Sequence, residues 1–344
     1  MQLWESIEQG KTYIIAEMSA NHGNSLENAK KIVHKAKEAG ADCLKIQTYT
    51  ADTLTIDCKN EYFEIHNGLW DKQYLYDLYS KASTPWEWQQ VIKEECDKCK
   101  IDFLSTPFDK TSVDFLCELG VDAIKIASFE IVDLPLISYA ASKNKTMIIS
   151  CGMATKTEIE EAVEACRKQK NDKIVLLKCC SEYPADLSAM NLVTIPDMIK
   201  EFHVPVGLSD HSLGIVAAIV GCSLGASVIE KHICLGREIV TPDSEFSLTP
   251  AEFQKMVNAV RCTELSKGQI SYGPTEKEKS SMVFRRSVFA VETIEAGEKF
   301  TETNIRIIRP GYGVLPKYYE KLLDKTSHRT IHRGEPILYS DLEN

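Results

Sequence analysis

The sequence predicts an α/β fold, a (β/α)₈ TIM barrel followed by a small β-rich domain. Short apolar runs alternate with helical patterns, and eight such pairs are complete by about residue 265. This number of pairs matches a barrel, which typically takes about 250 residues. Several of the apolar runs also end in polar residues, and barrels of this kind carry their catalytic groups at those strand ends.

The strand-like runs are short, apolar and bounded by turn residues, as buried parallel strands are. In chain order they are residues 13–19, 43–49, 101–108, 123–130, 146–152, 173–184, 205–212 and 227–233. The segments between them have helical spacing; in 25–40, Ser25 can cap the helix and Gly40 follows its last turn. The segment 155–169 begins in a similar way, with acidic residues in its first turn. A doubly wound open sheet is the alternative, but no GxGxxG motif follows the first run, so its dinucleotide-binding version lacks its signature.

Changes in composition indicate the domain boundaries. We expect the barrel to occupy residues 1–265, because the polar segment 266–284, with its Gly-Pro pair, is typical of a linker. Residues 285–344 have short alternating runs and Gly-rich turns, which predict the β-rich domain. Residues 52–80 form a long insertion after the second strand, rich in Tyr, Trp and Asp. Loops of this kind are where barrels build substrate pockets.

The chain of 344 residues has a net charge of -10 and a pI of about 5.4. This charge argues against a broad nucleic-acid surface, but it is compatible with a local basic pocket for a small anion. With no signal-peptide pattern and no run of about 20 apolar residues, we expect a cytoplasmic protein that does not cross a membrane. The 12 cysteines are then expected to be reduced thiols. Cys96 and Cys99 form a single CxxC motif, a weak zinc signal that favours a structural role.

The run VIEKHICLG, residues 228–236, has three ionisable residues in the middle of an apolar strand. Side chains alternate along a strand, so Glu230 and His232 share one face. His211 ends the preceding strand-like run, and neighbouring strands lie about 4.8 Å apart. Two imidazoles there favour one divalent metal ion over two separately hydrogen-bonded histidines, and a site with only two protein ligands suits catalysis. Glu230 is then expected to orient a metal ligand.

Other polar residues at the strand ends form two predicted groups. Lysines with hydroxyl or amide side chains on one rim resemble a phosphate or carboxylate pocket, although each alone is more often a local hydrogen-bonding group. They are Lys45, Gln47, Thr106, Lys125, Ser128, Ser150, Ser181 and Ser209. Three carboxylates at or beyond strand ends are either solvated or placed to handle protons and bind sugar hydroxyls. They are Glu17, Glu130 and Asp243.

Seven motifs, in order along the barrel, resemble those of the sialic acid synthase (NeuB) family: IIAEMSANHG, KIQTYT, STPFD, KIASFE, LKCCSEYP, VGLSDHS and IEKHI. The later segments RRSVFAVETIEAGE and IIRPGYG resemble its C-terminal antifreeze-like (SAF) domain, so the resemblance covers essentially the whole chain. AEMSANHG, NGLWDKQYLYDLYSKASTPWEW and DSEFSL are most similar to the pseudaminate branch of the family. Ser181 stands where the neuraminate branch usually carries Asn.

The resemblance implies a transferase that condenses phosphoenolpyruvate with an acetamido sugar and water, releasing phosphate by C–O cleavage. For the pseudaminate branch, the implied acceptor is 2,4-diacetamido-2,4,6-trideoxy-L-altrose. The implied partner is a second copy of the chain in a domain-swapped homodimer, in which Arg309 reaches the active site of the other copy.

The resemblance also implies roles for individual residues. A divalent ion, typically Mn²⁺ with Mg²⁺ or Co²⁺ as alternatives, is implied at His211 and His232, which act in catalysis together with Glu17 and Glu130. Phosphoenolpyruvate is implied to bind Lys45, Thr106, Lys125, Ser128, Ser150, Ser181 and Ser209. The acceptor sugar is implied to bind Gln47, Tyr183, Asp243 and Arg309.

Three other functions stay open. The same chemistry on N-acetylmannosamine or on a legionaminate precursor would give a different product, since pocket contacts set specificity. A metal-dependent barrel hydrolase also uses histidines at strand ends, but such enzymes usually need more His and Asp ligands than this sequence offers. A non-catalytic sugar-binding protein would bind without turnover, and the lysines and the histidine pair argue against it.

Overall fold

The structure is a computed structural model that describes residues 2–66 and 68–341. The chain divides into two compact units, the first ending at Gly268 and the second beginning at Gln269. No helix in the described part of the chain is both long and apolar enough to cross a membrane.

The first unit contains eight parallel strands in one sheet, with the order β3-β2-β1-β8-β7-β6-β5-β4. β3 and β4, at the two ends of this order, are in contact and close the sheet into a barrel. This confirms the predicted TIM barrel. The strands are β1 (Tyr13–Glu17), β2 (Cys43–Thr48), β3 (Asp102–Pro107), β4 (Ala123–Ile126), β5 (Thr146–Ser150), β6 (Ile174–Cys179), β7 (Val206–Asp210) and β8 (Val228–His232).

Helices follow the strands and cover the outside of the barrel. The predicted caps are present: the Ser25 side chain accepts a hydrogen bond from the Asn28 amide, and Thr155 and Glu158 form a capping box. The helices of the first unit are α1 (Leu3–Glu8), α2 (Leu26–Glu38), α3 (Ala51–Leu54), α4 (Leu75–Ala82), α5 (Trp86–Cys99), α6 (Lys110–Glu118), α7 (Leu134–Ser142), α8 (Lys156–Lys168), α9 (Thr194–Phe202), α10 (Val216–Ser223) and α11 (Pro250–Lys267).

The inside of the barrel changes from apolar to polar along the strands. Its lower part is a buried cluster that includes Tyr13, Ile15, Leu104 and Val228, closed from below by Leu3 of α1. Because side chains alternate, the next inward positions on the same strands are the polar residues at the carboxyl ends. On β1, for example, Tyr13 and Ile15 are followed on the same face by Glu17. The apolar layer therefore forms the floor beneath the polar strand ends.

The insertion after β2 adds α3 and α4 to the barrel. The chain between them includes a short antiparallel bridge between Glu64 and Tyr74. Leu78 of α4 is buried. This segment therefore has structure of its own at the carboxyl end of the barrel, where substrate-binding loops of such barrels lie.

The second unit is small and contains a two-stranded antiparallel sheet of β9 (Ser287–Ala290) and β10 (Ile305–Ile308). Its helices are α12 (Glu276–Lys279) and α13 (Tyr319–Leu323). Further single bridges, such as that between Ile294 and Ile331, extend the β structure. Its own buried core includes Val288, Phe300 and Leu322. The segment predicted as the linker, 266–284, includes the end of α11 and all of α12.

Candidate active site

A cavity of about 430 Å³ opens at the carboxyl ends of the strands. Most of the sequence-predicted site residues line it: Lys45, Gln47, Thr106, Lys125, Ser128, Glu130, Ser150, Tyr183, Ser209, His211, His232 and Asp243. These residues come from strands β2 to β8 and from the loops that follow them. The barrel therefore gathers groups that are up to about 200 positions apart in the chain.

Three predicted residues are not part of the cavity lining. Glu17 is completely buried directly behind it, where Oε1 accepts a hydrogen bond from Nε2 of Gln47 at 3.3 Å. Ser181 lies after β6, with Oγ 3.9 Å from Sγ of Cys179. Arg309 lies in the second unit and is exposed. The roles of these three residues, like those of the residues that line the cavity, stay predictions.

Lys45 is the centre of a buried charge cluster. Its Nζ lies 2.7 Å from Oε2 of Glu17 and 3.4 Å from Oε1 of Glu230, and it donates to Oγ1 of Thr106 at 3.3 Å. Burial raises the pKa of Glu17 to about 7, against the opposing charge of Lys45. Glu230 responds differently: burial acts to raise its pKa, but Lys125 and Lys45 outweigh that effect and lower it. At neutral pH the cluster therefore has one firmly ionised carboxylate and one carboxyl that can gain or lose a proton.

Lys125 is a second buried cation on the inside of the barrel. Its Nζ donates to Oγ of Ser150 at 2.5 Å and to the carbonyl oxygen of Ile126 at 2.9 Å. Burial lowers its pKa, and the carboxylate of Glu230 opposes this shift. On the same side, Oγ of Ser128 accepts a hydrogen bond from the Gly152 amide at 3.2 Å. Two buried ammonium groups with hydroxyls beside them form a site suited to a small, highly charged anion.

The two histidines lie side by side at the ends of β7 and β8. The centroids of His211 and His232 are 5.4 Å apart, and the ring of Phe246 packs 4.9 Å from that of His232. Nδ1 of His211 lies 3.0 Å from the carbonyl oxygen of Cys180, and as the donor of that hydrogen bond it leaves Nε2 as the free ligand atom.

Nδ1 of His232 is buried and has no hydrogen-bond partner among the described residues. Burial also lowers the pKa of His232 well below its usual value, so the imidazole is neutral and can act as a ligand. Burial acts to lower the pKa of His211, but the neighbouring Cys179 outweighs that effect and raises it. The two imidazoles share the cavity with the carboxylates of Glu230 and Asp243, and nitrogen and oxygen donors of this kind suit a divalent ion. The residues present therefore fit the metal that the sequence predicts.

Two further carboxyls line the cavity. Burial raises the pKa of Glu130 to about 7, and its Oε2 has no hydrogen-bond partner in the described part of the chain. Burial also raises the pKa of Asp243, whose Oδ2 accepts a hydrogen bond from the Ala20 amide at 3.0 Å. Glu130 is thus available to exchange protons near neutral pH, and both groups can bind hydroxyl groups.

Lys231 points away from the cavity and forms a fully buried ion pair, a role that the sequence did not suggest. Its Nζ lies 2.8 Å from Oδ2 of Asp210 and donates to the carbonyl oxygen of Ser212. Oδ1 of Asp210 accepts hydrogen bonds from the amide and the hydroxyl of Ser212. The pair therefore fixes the backbone on both sides of His211.

The sequence predicted that Glu230 orients a metal ligand, but in the structure this carboxylate has other partners. Its carboxylate pairs with Lys45 and accepts a hydrogen bond from Oγ of Ser209 at 3.3 Å. The backbone of β7 is held instead by Asp210 and Lys231, which lie opposite each other in the register of β7 and β8. Glu230 thus belongs to the lysine cluster.

An aromatic and apolar wall forms the other part of the cavity. The insertion contributes Leu54, Ile65, Trp70, Leu75, Leu78 and Tyr79. The ring centroids of Trp70 and Tyr183 are 5.5 Å apart, and those of Tyr49 and Phe108 are 5.2 Å apart. Nε1 of Trp70 also donates a hydrogen bond to the carbonyl oxygen of Pro242 at 3.2 Å. The richness of the insertion in Tyr and Trp was the only sequence signal for this wall. A cavity that is charged on one side and aromatic on the other suits a sugar with apolar substituents.

Comparison with known proteins identifies the family of this chain. Residues 32–272 match the model of the NeuB family, and residues 285–343 match the SAF domain. The chain belongs to the NeuB family. Its relatives include the pseudaminic acid synthase of Campylobacter jejuni, 43% identical over 343 residues and 100% of both chains. The pseudaminic acid synthase of Helicobacter pylori is 41% identical over 96% of this chain and 97% of its own.

A solved NeuB-type structure shares the architecture. It is the N-acetylneuraminic acid synthetase from Leptospira borgpetersenii in complex with citrate, with 31% sequence identity and a TM-score of 0.71. The match covers 79% of this chain and 90% of that protein. The NeuB barrel described above is therefore an architecture already seen in a solved synthetase.

Proposed function

We propose that this NeuB-family protein is a pseudaminic acid synthase. It joins phosphoenolpyruvate, 2,4-diacetamido-2,4,6-trideoxy-L-altrose and water into pseudaminic acid and inorganic phosphate. The observation that carries the proposal is the 41–43% identity to pseudaminic acid synthases over essentially the whole chain. The cavity supports it, because it combines a basic end for an anionic substrate with an aromatic wall for an acetamido sugar.

The basic end is proposed to hold phosphoenolpyruvate. Lys45 and Lys125 bind its phosphate and carboxylate, since buried ammonium groups form strong charge-assisted hydrogen bonds with such anions. The hydroxyls of Thr106, Ser128, Ser150, Ser181 and Ser209 complete this site. In the structure, Lys45 is paired with Glu17 and Glu230, so substrate binding reorganises these ion pairs.

His211 and His232 are proposed to hold the divalent ion, for which we propose Mn²⁺. When bound, such an ion acts as a Lewis acid on the aldehyde oxygen of the open-chain sugar. Neighbouring residues hold these histidines in place. Tyr183 packs against His211 and Phe246 packs against His232, and the Asp210–Lys231 pair fixes the backbone beside His211.

The bond changes follow from the two substrates. The π electrons of phosphoenolpyruvate form a bond from its methylene carbon to the aldehyde carbon, and positive charge develops at C2 of the former phosphoenolpyruvate. The π bond of the aldehyde opens at the same time, and its oxygen takes a proton from Glu130 to become a hydroxyl. The ionised carboxylate of Glu230 stabilises the positive charge at C2. Water then adds to C2, and its proton is taken by the carboxylate form of Glu17, which is present at neutral pH because the pKa of this group is about 7. The C2–O bond of the phosphate ester then breaks, and the bridging oxygen leaves with phosphorus as inorganic phosphate, which takes up the proton that the new C2 hydroxyl loses as it becomes the keto group.

The acceptor is proposed to lie against the aromatic wall. Gln47, Tyr183 and Asp243 contact its polar groups, while Glu130 exchanges protons with it. Arg309 is proposed to complete the acceptor site of a second copy of the chain, in a domain-swapped homodimer. This part of the proposal rests on the family resemblance of the segment RPGYG, residues 309–313.

Phosphate release from phosphoenolpyruvate in the presence of Mn²⁺ tests the proposed function. The diacetamido-trideoxy-altrose and N-acetylmannosamine are compared as acceptors, each with and without a chelator. We expect release only with the altrose, and loss of release with the chelator. Release with N-acetylmannosamine alone would instead show a neuraminate synthase, and no release with either sugar would contradict the proposed activity.

A further inference from the structure

A cluster of metal-ligating side chains lies on the outside of the barrel, between α2 and α5. It consists of His34 on α2 and of Glu95 and Cys99 on α5, and one ligand atom from each lies within 4.8 Å of the others. Glu95 and Cys99 are four positions apart on one helix, so they project from the same face one turn apart. None of the three residues lines the cavity described above.

The distances in this cluster match those around a tetrahedral metal ion. Nδ1 of His34 lies 3.4 Å from Sγ of Cys99. Zinc bonds of about 2.0–2.1 Å to nitrogen and about 2.3 Å to sulfur, at a tetrahedral angle, place the two ligand atoms about 3.5 Å apart. The two atoms therefore already have the separation that a shared ion requires.

Glu95 holds the imidazole in the orientation that such an ion needs. Its Oε1 lies 2.8 Å from Nε2 of His34, so the proton is kept on Nε2 and the lone pair of Nδ1 faces Cys99. Hydrogen bonds from Lys98 and from His34 lower the pKa of Glu95, which keeps its carboxylate ionised. This arrangement is common at zinc sites, where a carboxylate accepts a hydrogen bond from one imidazole nitrogen and the other nitrogen binds the metal.

The surroundings leave room for an ion to enter. The side chain of His34 is 51% exposed, so water can fill the coordination positions that the protein does not supply. α2 and α5 pack against each other, and Nζ of Lys37 donates to the carbonyl oxygen of Lys100 at 2.6 Å. The spacing of the ligands is therefore set by the packing of two helices.

We propose that His34, Cys99 and Glu95 form a binding site for a thiophilic divalent cation such as Zn²⁺, here called the α2–α5 site. Nδ1 of His34 and the thiolate of Cys99 bind the ion, and Glu95 positions the imidazole. Cys96, the other cysteine of the CxxC motif, is completely buried in the core and takes no part. Burial raises the pKa of the Cys99 thiol, so the bound ion displaces a proton to water.

Site-specific alkylation of the full-length protein tests this proposal. The protein is stripped with a chelator and treated with iodoacetamide with or without Zn²⁺, and modification of Cys99 and Cys262 is followed by peptide mass spectrometry. Cys262 is exposed and lies outside the cluster, so it serves as an internal control. We expect alkylation of Cys99 to slow by about tenfold once Zn²⁺ exceeds its Kd about tenfold, while that of Cys262 is unchanged.

Substitution of the imidazole separates metal binding from simple shielding of the thiol. His34→Ala is expected to remove the zinc protection of Cys99, and Glu95→Gln to weaken zinc binding by roughly 10- to 100-fold. Equal protection in wild type and His34→Ala, or no protection in wild type, would overturn the proposal.

Co²⁺ gives a second readout, which also decides the case if Cys99 reacts too slowly with iodoacetamide. A thiolate-to-cobalt charge-transfer band is expected in the wild type and in Cys262→Ser, and it should be absent in Cys99→Ser. A band that survives Cys99→Ser would come from another thiol, such as Cys179 beside His211, and would contradict the α2–α5 site. Absence of any band in the wild type would contradict it as well.

Discussion

Glu130 has a buried carboxyl oxygen without a hydrogen-bond partner among residues 2–66 and 68–341. Burial raises its pKa from 4.5 to about 7. In the unfolded chain the group ionises near its usual pKa, so between these two values the native state binds more protons than the unfolded state. The contribution of Glu130 to stability is therefore fully present below about pH 4.5 and is lost as the pH rises through about 7.

Glu130→Gln should consequently change stability in a pH-dependent way. The variant removes the ionisable group, so we expect it to match the wild type near pH 5 and to be more stable at pH 8 by about 1–3 kcal/mol. Denaturant unfolding with chelator present, at several pH values, measures the difference. The exposed Glu161→Gln is the control, and a difference that is the same at pH 5 and pH 8 would contradict the assignment.

The substitution His232→Gln tests the proposed ion site. Loss of one imidazole ligand should lower kcat/KM for phosphate release by roughly 100-fold or more. It should also weaken Mn²⁺ binding. This binding is measured from the decrease in the electron paramagnetic resonance signal of free Mn²⁺. His332→Gln, at an exposed position of the second unit, is the control. Unchanged Mn²⁺ binding in His232→Gln would remove this residue from the proposed ligands.

The alternation of side chains along a strand made most of the candidate site residues predictable. Lys45 and Gln47, or Glu230 and His232, are two positions apart on short apolar strands, so their common direction follows from the sequence alone. Trp70 and Tyr79 were not predicted individually, because they lie in an insertion whose chain path has no simple period. The pKa values of Glu17 and Glu130 depend on burial, which the sequence does not specify.

The pairing of β7 with β8 places an ion pair beneath the histidines. Asp210 and Lys231 are directly opposite in the register, and both side chains are completely buried. A sequence contains no register between distant strands, and for this reason the role of Lys231 was not predicted. The same register brings His211, one position after Asp210, close to His232.

Lys231→Met should therefore be strongly destabilising. It leaves Asp210 as an unpaired buried charge, a change that costs about 3–5 kcal/mol. Asp210→Asn combined with Lys231→Met should recover part of this loss, because no buried charge remains. Lys93→Met breaks the surface pair with Asp97 and should cost less than about 0.5 kcal/mol. Denaturant midpoints compare the variants, and a cost for Lys231→Met similar to that of Lys93→Met would contradict this account.

At the scale of the whole molecule, the chain has two units with separate cores. Alternating strand and helix patterns predicted the barrel because each strand is short and apolar and the segments between the strands have helical spacing. The small second domain was predicted from its turns and alternating runs. The predicted linker proved to contain helical residues, since Thr275 and Glu278 cap α12 within an otherwise polar segment. Polar composition alone does not distinguish an exposed helix from a loop.

Complementation between two inactive variants tests the proposed exchange of Arg309 between copies. Arg309→Ala and His232→Gln are each expected to be nearly inactive, and Arg333→Ala, another exposed arginine, to be active. After unfolding and refolding together, random dimers should regain about a quarter of wild-type phosphate release, because one site in each mixed dimer has both residues. No recovery on mixing, with dimers present, would show that Arg309 does not act in the other copy.

The aromatic wall has a consequence for how this enzyme family diversifies. Its residues between Leu54 and Tyr79 lie in one contiguous segment outside the barrel strands, whereas the lysines, hydroxyls and imidazoles lie on or next to the strands. A single segmental replacement can therefore change the aromatic part of the surface that we propose for the acceptor, while the lysine cluster and the strand register are inherited unchanged. If the proposed sites are right, acceptor preference and reaction chemistry are separately heritable parts of one fold.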